Sequence, residues 1–133
     1  MKLKLTASLI VLVSLVFLWR YPIIAQEKQS KASSEIMQKK LKHAQKLLEN
    51  LALADFVKMT DNAEELMQLS KTAEWMAMKT PKYEMFNNEF QRATGDLIAK
   101  AKAKNIDGAT LAYLDVTMSC VRCHSYVREV RGG

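Results

Sequence analysis

Residues 80–101 read TPKYEMFNNEFQRATGDLIAKA, and this stretch decides the fold class. Thr80 suits the N-cap of a helix and Pro81 suits its first position, so a helix is predicted to begin there. Apolar side chains then recur every three or four residues and form one face of that helix. The members of this face are Tyr83, Phe86, Phe90, Ala93, Leu97 and Ala101. Gly95 lies off the face and weakens the helix by about 1 kcal/mol relative to alanine.

The same periodicity predicts three further helices around this one. They are expected from the N-cap Ser34 to about residue 53, over 60–79, and over 109–131 after a turn at 105–108. Their expected inner faces are Met37, Leu41, Ala44, Leu48 and Leu51 in the first helix, Ala63, Leu66, Leu69, Ala73 and Met76 in the second, and Ala109, Ala112, Val116, Cys123, Val127 and Val130 in the fourth. Because short loops make sequential helices antiparallel neighbours, we predict an all-α, antiparallel up-down-up-down four-helix bundle.

The N-terminal segment has the order of an export signal. Two lysines precede an apolar run from Leu5 to Trp19, and the small residue Ala25 follows it. The run is shorter than the roughly 20 residues that span a bilayer. We predict a signal peptide over 1–25 that is cleaved after about Ala25, a disordered lead-in over 26–33, and a domain over 34–131. The domain is then periplasmic or otherwise exported, with no membrane span; an uncleaved signal anchor is the alternative.

Charge and composition exclude several classes of protein. The chain of 133 residues has 20 Lys+Arg and 14 Asp+Glu, a net charge of +6. Three basic residues (Lys2, Lys4, Arg20) lie in the predicted signal, which leaves a net charge of +3. This excess is too small for a nucleic-acid-binding protein, and the scarcity of glycine and proline argues against an all-β fold. With only two cysteines, a disulfide-stapled miniprotein and a four-cysteine metal site are excluded.

Cys120, Cys123 and His124 form the motif C-x-x-C-H, the attachment signature for c-type haem. Two thiols can form thioethers with the two vinyl groups of haem, and the adjacent imidazole can reach the iron. On a helix the three side chains fall within about 100° of one face. We therefore predict one covalently attached haem c, with iron, held by the two cysteines and with His124 as its proximal axial ligand.

Three other interpretations of the cysteine pair remain open. A thioredoxin-type dithiol also uses C-x-x-C, but it lies at a helix N-terminus after a strand. Zinc requires about four ligands, and the only other histidine, His43, lies on the polar half of the first helix. The third interpretation is a chance occurrence in a structural helix.

The topology predicts which residues surround the haem. In an up-down-up-down bundle, the starts of the first and third helices meet the ends of the second and fourth. The expected lining is Met37, Leu41, Met76, Tyr83, Phe86 and Phe90. Met37 and Met76 both offer a thioether to the iron opposite His124, and their spacing does not decide between them. Plain core packing is the alternative role for these residues.

A four-helix bundle with C-x-x-C-H in its last helix resembles the class II cytochromes c, namely cytochrome c prime and its low-spin relatives. The resemblance covers about 34–131. It implies that a residue of the first helix faces the iron from the distal side, and Met37 falls where the low-spin relatives carry a ligating methionine. The family often continues with an aromatic residue and arginine; Arg128 matches, whereas Val127 takes the aromatic position and Tyr126 precedes it. Arg128 is therefore expected beside the imidazole or a haem propionate, with a solvated arginine as the alternative.

Electron transfer to redox partner proteins is the leading hypothesis, with His124 and Met37 holding the iron in both oxidation states. Because a filled sixth position leaves no place for a substrate, we do not expect an enzyme. The Lys-rich first helix either steers acidic partners or is an ordinary solvated face. The alternatives are a five-coordinate cytochrome c prime that binds NO or CO, with Met37 only packing, and a haem-free helical interaction module. A homodimer is compatible with the sequence.

Overall fold

The computed structural model describes residues 31–72 and 78–132. The helices are α1 over 31–52, α2 over Phe56–Lys71, α3 over Pro81–Lys102 and α4 over Ile106–Gly132. The described residues contain no strand, and the predicted four-helix bundle is confirmed. None of the described helices is long and apolar enough to cross a membrane.

The start of α1 differs from the prediction. Residues 31–33 are already helical, so Ser34 lies within α1 and does not cap it. The expected disordered lead-in is therefore helical over 31–33. The predicted signal peptide lies outside the described residues.

α2 begins earlier than the predicted start at Thr60, because the loop 53–55 carries its own cap. Ala54 takes a positive φ of 51°, which reverses the chain direction directly after α1. The Oδ1 atom of Asp55 then accepts a hydrogen bond from the backbone N–H of Lys58 at 3.1 Å. This carboxylate satisfies one of the N–H groups that have no partner within the first turn of a helix.

The loop 103–105 between α3 and α4 is built in the same way. Lys104 has a φ of 53°, and the Oδ1 atom of Asn105 accepts from the N–H of Gly108 at 2.9 Å. The predicted turn at 105–108 is therefore the cap and first turn of α4, which begins before the expected Ala109. In both loops a short polar side chain sets the start of the next helix, a signal that apolar periodicity does not contain.

The connection between α2 and α3 includes the residues that the structure does not describe. α2 ends at Lys71, before the predicted end at 79, because Thr72 has extended backbone with φ −67° and ψ 141°. α3 begins as predicted: Thr80 Oγ1 accepts from the N–H of Tyr83 at 3.2 Å, and Pro81 occupies the first turn.

The buried face of α1 differs from the predicted face. Its buried residues are Ile36, Lys40, Leu47, Asn50 and Leu51. Leu41 and Leu48 were expected inside, yet they are 53% and 59% exposed. A shift of one residue rotates a helical face by about 100°. Contacts with the neighbouring helices set this rotation, including His43 Nδ1, which lies 2.9 Å from Asn62 Oδ1 on α2.

The core lies among all four helices and largely follows the predicted faces of α3 and α4. The expected α3 face is confirmed, with Phe86 half-buried and Tyr83, Phe90, Ala93, Leu97 and Ala101 buried. In α4 the buried residues include Ala109, Ala112, Val116 and Cys123. Val130 is 48% exposed and leaves the core near the end of the helix. Tyr113 links α4 to α1 by donating a hydrogen bond to the carbonyl oxygen of Ala44 at 3.0 Å.

Candidate functional site

A cavity of about 280 Å³ lies within the described bundle, with its walls formed by all four helices. Its α4 wall includes Cys120, Cys123 and His124, so the structure brings the whole C-x-x-C-H motif to one cavity. The two cysteines are free, Cys123 is buried and Cys120 is half-buried. His124 is exposed and lies where the cavity meets the surface. A helical periodicity of 3.6 residues explains why positions three and four apart share this wall.

The cysteine thiols are held in their protonated form. Burial raises the pKa of Cys120 and Cys123, and the positive charge of Lys40 only partly opposes this effect. A buried thiolate is less well solvated than a thiolate in water, so burial disfavours the charged form. Both residues therefore carry S–H groups at neutral pH.

His124 is biased towards its neutral form. Partial desolvation of the ring at the cavity mouth lowers the pKa of His124, and the positive charges of Arg128 and Lys40 lower it further. A neutral imidazole has a nitrogen lone pair available to a metal ion. The electrostatics of the site thus favour the protonation state that metal binding by His124 requires.

These observations weaken the dithiol and zinc interpretations. A redox-active dithiol needs a lowered thiol pKa near a helix N-terminus, whereas the Cys120 and Cys123 values are raised and α4 begins at Ile106. The described residues contain no group of three or more His, Cys, Asp or Glu side chains that could hold a metal ion. His43 is engaged with Asn62, as given above, and does not line the cavity.

The other walls contain most of the expected lining residues. Met37 and Leu41 of α1 line the cavity, as do Phe86 and Phe90 of α3. Tyr83 is buried but does not line it. Met76, the other methionine considered as a ligand, lies outside the described residues. Met37 is therefore the thioether that the described structure places at the cavity.

Lys40 is a site residue that the sequence reasoning missed. It belongs to the Lys-rich first helix, for which we predicted either partner steering or a solvated face, yet it is 7% exposed and lines the cavity. Its Nζ lies 3.7 Å from the centroid of the Phe90 ring. Desolvation by burial lowers the pKa of Lys40 to about 7, and a negative charge on Cys120 or Cys123, when either thiol ionises, acts in the opposite direction. The spacing from Ile36 to Lys40 to Leu47 was the sequence signal that could have identified it.

The segment after His124 reaches two different neighbours. Arg128 is exposed, and its Nη2 donates to Ser125 Oγ at 3.0 Å. Its effect on His124 is electrostatic, as described above, and its role beside the imidazole or a propionate stays a prediction. Tyr126, one position before the family's aromatic residue, places its hydroxyl 3.0 Å from Thr80 Oγ1. This contact joins the last turns of α4 to the N-cap of α3.

Comparison with known proteins defines the fold class. No protein-family model matches the sequence, and no curated protein matches it either. Among solved structures, the chain has the four-helix-bundle fold of cytochrome c prime. One cytochrome c' structure has a TM-score of 0.67 and 20% sequence identity, over 76% of this chain and 94% of that chain.

Two further structures are of cytochrome c prime from Alcaligenes xylosoxidans. The nitric oxide complex of a mutant has a TM-score of 0.66 at 21% identity, over 75% of this chain and 92% of that chain. A ferrous variant with bound NO has a TM-score of 0.67 at 21% identity, over 76% and 93%. At this level of identity the likeness establishes the fold.

Proposed function

We propose that this protein is a c-type cytochrome with one haem c attached to Cys120 and Cys123 and with His124 as the proximal ligand of the iron. The observation that carries the proposal is the position of all three side chains on one wall of a cavity of about 280 Å³. The cytochrome c prime fold supports it, since the motif occurs in the last helix of that fold.

The cavity residues fit a flat, largely apolar macrocycle. Two aromatic side chains, Phe86 and Phe90, and the aliphatic Leu66 and Val116 supply apolar walls. The protonated thiols of the site can each add across a vinyl group, with the sulfur forming the C–S bond and the hydrogen going to the other vinyl carbon. When bound, the haem supplies a redox-active iron that can also bind small ligands. His124 would hold that iron at the α4 wall of the cavity.

Binding of a diatomic gas, NO or CO, is the function that we favour for the side of the iron opposite His124. Two of the similar structures are of cytochrome c prime with nitric oxide bound. The α1 wall of the cavity includes two apolar residues, Leu41 and Ala44, beside which a diatomic ligand can pack, as well as Met37, Gln38 and Lys40.

Electron transfer with Met37 as the distal ligand is the second candidate function. Its support is the position of Met37 at the cavity, on a different helix from His124. A thioether opposite histidine stabilises ferrous iron and raises the reduction potential. For either function we propose an exported, periplasmic protein, because haem c is attached outside the bacterial cytoplasm and the leader has the order of a signal peptide.

The test is production of the full chain in a bacterial host with the machinery for haem c attachment. We expect haem that stays with the polypeptide after acid–acetone extraction and on a denaturing gel. Cys120→Ala and Cys123→Ala together should abolish this retention, whereas the exposed-surface variant Lys39→Ala should not change it. Loss of all haem from the wild-type chain on extraction would contradict the proposal.

The distal function is tested on the same holoprotein. Rapid CO binding by the dithionite-reduced protein supports the gas-binding function. A sulfur-to-iron charge-transfer band in the ferric protein, lost in Met37→Leu, would instead establish Met37 ligation.

A further inference from the structure

Lys40 differs from the other lysines of α1 in its surroundings. Lys39, Lys42 and Lys46 are exposed, whereas Lys40 is 7% exposed. Its Nζ atom has less than 1 Å² of accessible surface. A lysine at an apolar surface usually extends its ammonium group to water. Lys40 instead directs its nitrogen into the protein, over the ring of Phe90, and its side chain lines the cavity that the C-x-x-C-H motif also lines.

The position of Lys40 relative to the motif is constrained by two observations. Lys40 lies on α1, while Cys120, Cys123 and His124 lie on α4, and all four line the same cavity. The charge of Lys40 affects the pKa of each of those three side chains, so its nitrogen lies within electrostatic reach of the whole motif. Lys40 therefore reaches the cavity from a different helix than the proposed proximal ligand does.

Three α1 residues at the cavity carry an atom that could bind iron. They are Met37, Gln38 and Lys40. Gln38 is exposed, Met37 is half-buried and Lys40 is the only buried one of these three. Its Nζ lies over the ring of Phe90, another cavity residue, at 3.7 Å from the centroid. Of the three donors, the amine is also the strongest base.

We propose that Lys40 supplies the sixth ligand of the ferric iron through its Nζ atom. The inference rests on the proposed function, because it requires the haem. The ammonium group releases one proton to solvent, and the nitrogen lone pair then forms the bond to iron. No electron is transferred in this step, so the iron stays ferric.

The electrostatics of the site favour this ligation. The lowered pKa of Lys40, about 7, leaves a large fraction of its amine neutral near neutral pH. A thiolate at Cys120 or Cys123 would raise this pKa, and attachment of haem rules that out because both sulfurs become uncharged thioethers.

Ligation by an amine is compatible with gas binding to the reduced protein. Nitrogen donors suit the harder ferric ion, whereas a thioether suits the softer ferrous ion. Reduction should therefore weaken the bond to Lys40 and open the position opposite His124 to NO or CO. Persistent ligation by Met37 in both oxidation states would be incompatible with this inference.

The experiment is electron paramagnetic resonance of the ferric holoprotein, after acid–acetone extraction has established covalent haem. We expect a low-spin signal without a sulfur-to-iron charge-transfer band in the near infrared. Protein that contains ¹⁵N-labelled lysine should show an altered nitrogen hyperfine coupling. Lys40→Leu should convert the iron to the high-spin form, whereas the matched exposed variants Lys39→Leu and Lys42→Leu should leave it low-spin.

Lys40→Arg is the second variant, because arginine keeps the positive charge but does not deprotonate in proteins. Lys40→Arg should also give high-spin iron. It keeps the test valid if Lys40→Leu fails to fold. High-spin wild-type iron, a sulfur charge-transfer band, or low-spin iron that survives both Lys40 substitutions would overturn the Lys40 assignment alone. Absence of covalent haem would overturn the proposed function and, with it, this inference.

Discussion

The hydroxyl of Tyr126 lies 3.0 Å from Oγ1 of Thr80, the residue that caps α3. The ring of Tyr126 also lies 5.7 Å from that of Phe86, a cavity residue. These contacts join the last turns of α4 to the start of α3. Tyr126 lies about half a helical turn after His124. This contact stabilises the part of α4 that carries the imidazole.

Tyr126→Phe should therefore destabilise the protein by about 1 kcal/mol, since it removes one hydrogen bond and keeps the ring. Thr80→Ala removes both the hydrogen bond and the cap and should have a larger effect. The measurement is urea unfolding of the two variants and of the double variant. Because the residues are in contact, the double variant should lose less stability than the sum; strict additivity would contradict the coupling.

Lys40→Met should stabilise the haem-free protein at neutral and acidic pH, because it replaces a buried ammonium group with an apolar side chain of similar length. The pKa of Lys40 is lowered from 10.5 to about 7, and each unit corresponds to about 1.4 kcal/mol, which bounds the effect at about 5 kcal/mol. Between pH 7 and about 10 the unfolded chain binds more protons than the folded chain, so the contribution of Lys40 makes wild-type stability rise across this range.

Urea unfolding at pH 6, 7, 8 and 9 of both proteins measures this prediction. The advantage of Lys40→Met should shrink as the pH rises, while the exposed Lys42→Met should show no such trend. A constant difference across the series would mean that the ammonium is not buried in solution.

The cap of α2 should be sensitive to acid. The backbone N–H of Lys58 lowers the pKa of Asp55, followed by the side chain of Lys58. At acidic pH the folded state thus binds fewer protons than the unfolded state. The contribution of Asp55 to stability is fully present above pH 4, and it is lost as the pH falls through the lowered pKa of Asp55. Thermal unfolding between pH 2 and 5 should show this loss in wild type.

Asn105 is the matched residue, since it caps α4 in an equivalent loop without a titratable group. Asp55→Asn should keep a capping side chain and reduce the acid sensitivity between pH 2 and 4. If the two proteins lose stability in parallel, the carboxylate of Asp55 is not the group responsible.

Gly95→Ala should stabilise the protein by about 1 kcal/mol, the difference in helix propensity. A Cβ atom at residue 95 would lie 3.8 Å from Cε of Met67, an ordinary van der Waals contact. Gly108 is the comparison, because its Cβ would lie 2.8 Å from Nδ2 of the capping Asn105. Gly108→Ala should not stabilise the protein. Thermal unfolding midpoints of the two variants measure the difference. An equal rise in both midpoints would show that the Asn105 cap adapts to the added Cβ without a loss of stability.

Local signals in the sequence were sufficient for the helical class and for the motif. Thr80 and Pro81 mark the start of α3 because the cap involves residues only three positions apart. Cys120, Cys123 and His124 share a wall because their spacing matches the helical repeat. The predicted starts of α2 and α4 were wrong. The caps formed by Asp55 and Asn105 depend on backbone turns, and the periodicity of apolar residues contains no information about those turns.

The rotation of α1 and the environment of Lys40 were decided only by the tertiary structure. In sequence, Lys40 belongs to a run of lysines, and Leu41 belongs to a plausible inner stripe. In the bundle Lys40 is buried against Phe90 and Leu41 is 53% exposed. A helix with apolar residues on more than one side can present either face, and the surfaces of its neighbours select the one that packs. The sequence by itself therefore determined the helices and the C-x-x-C-H motif, whereas packing between helices determined which α1 side chains face that motif.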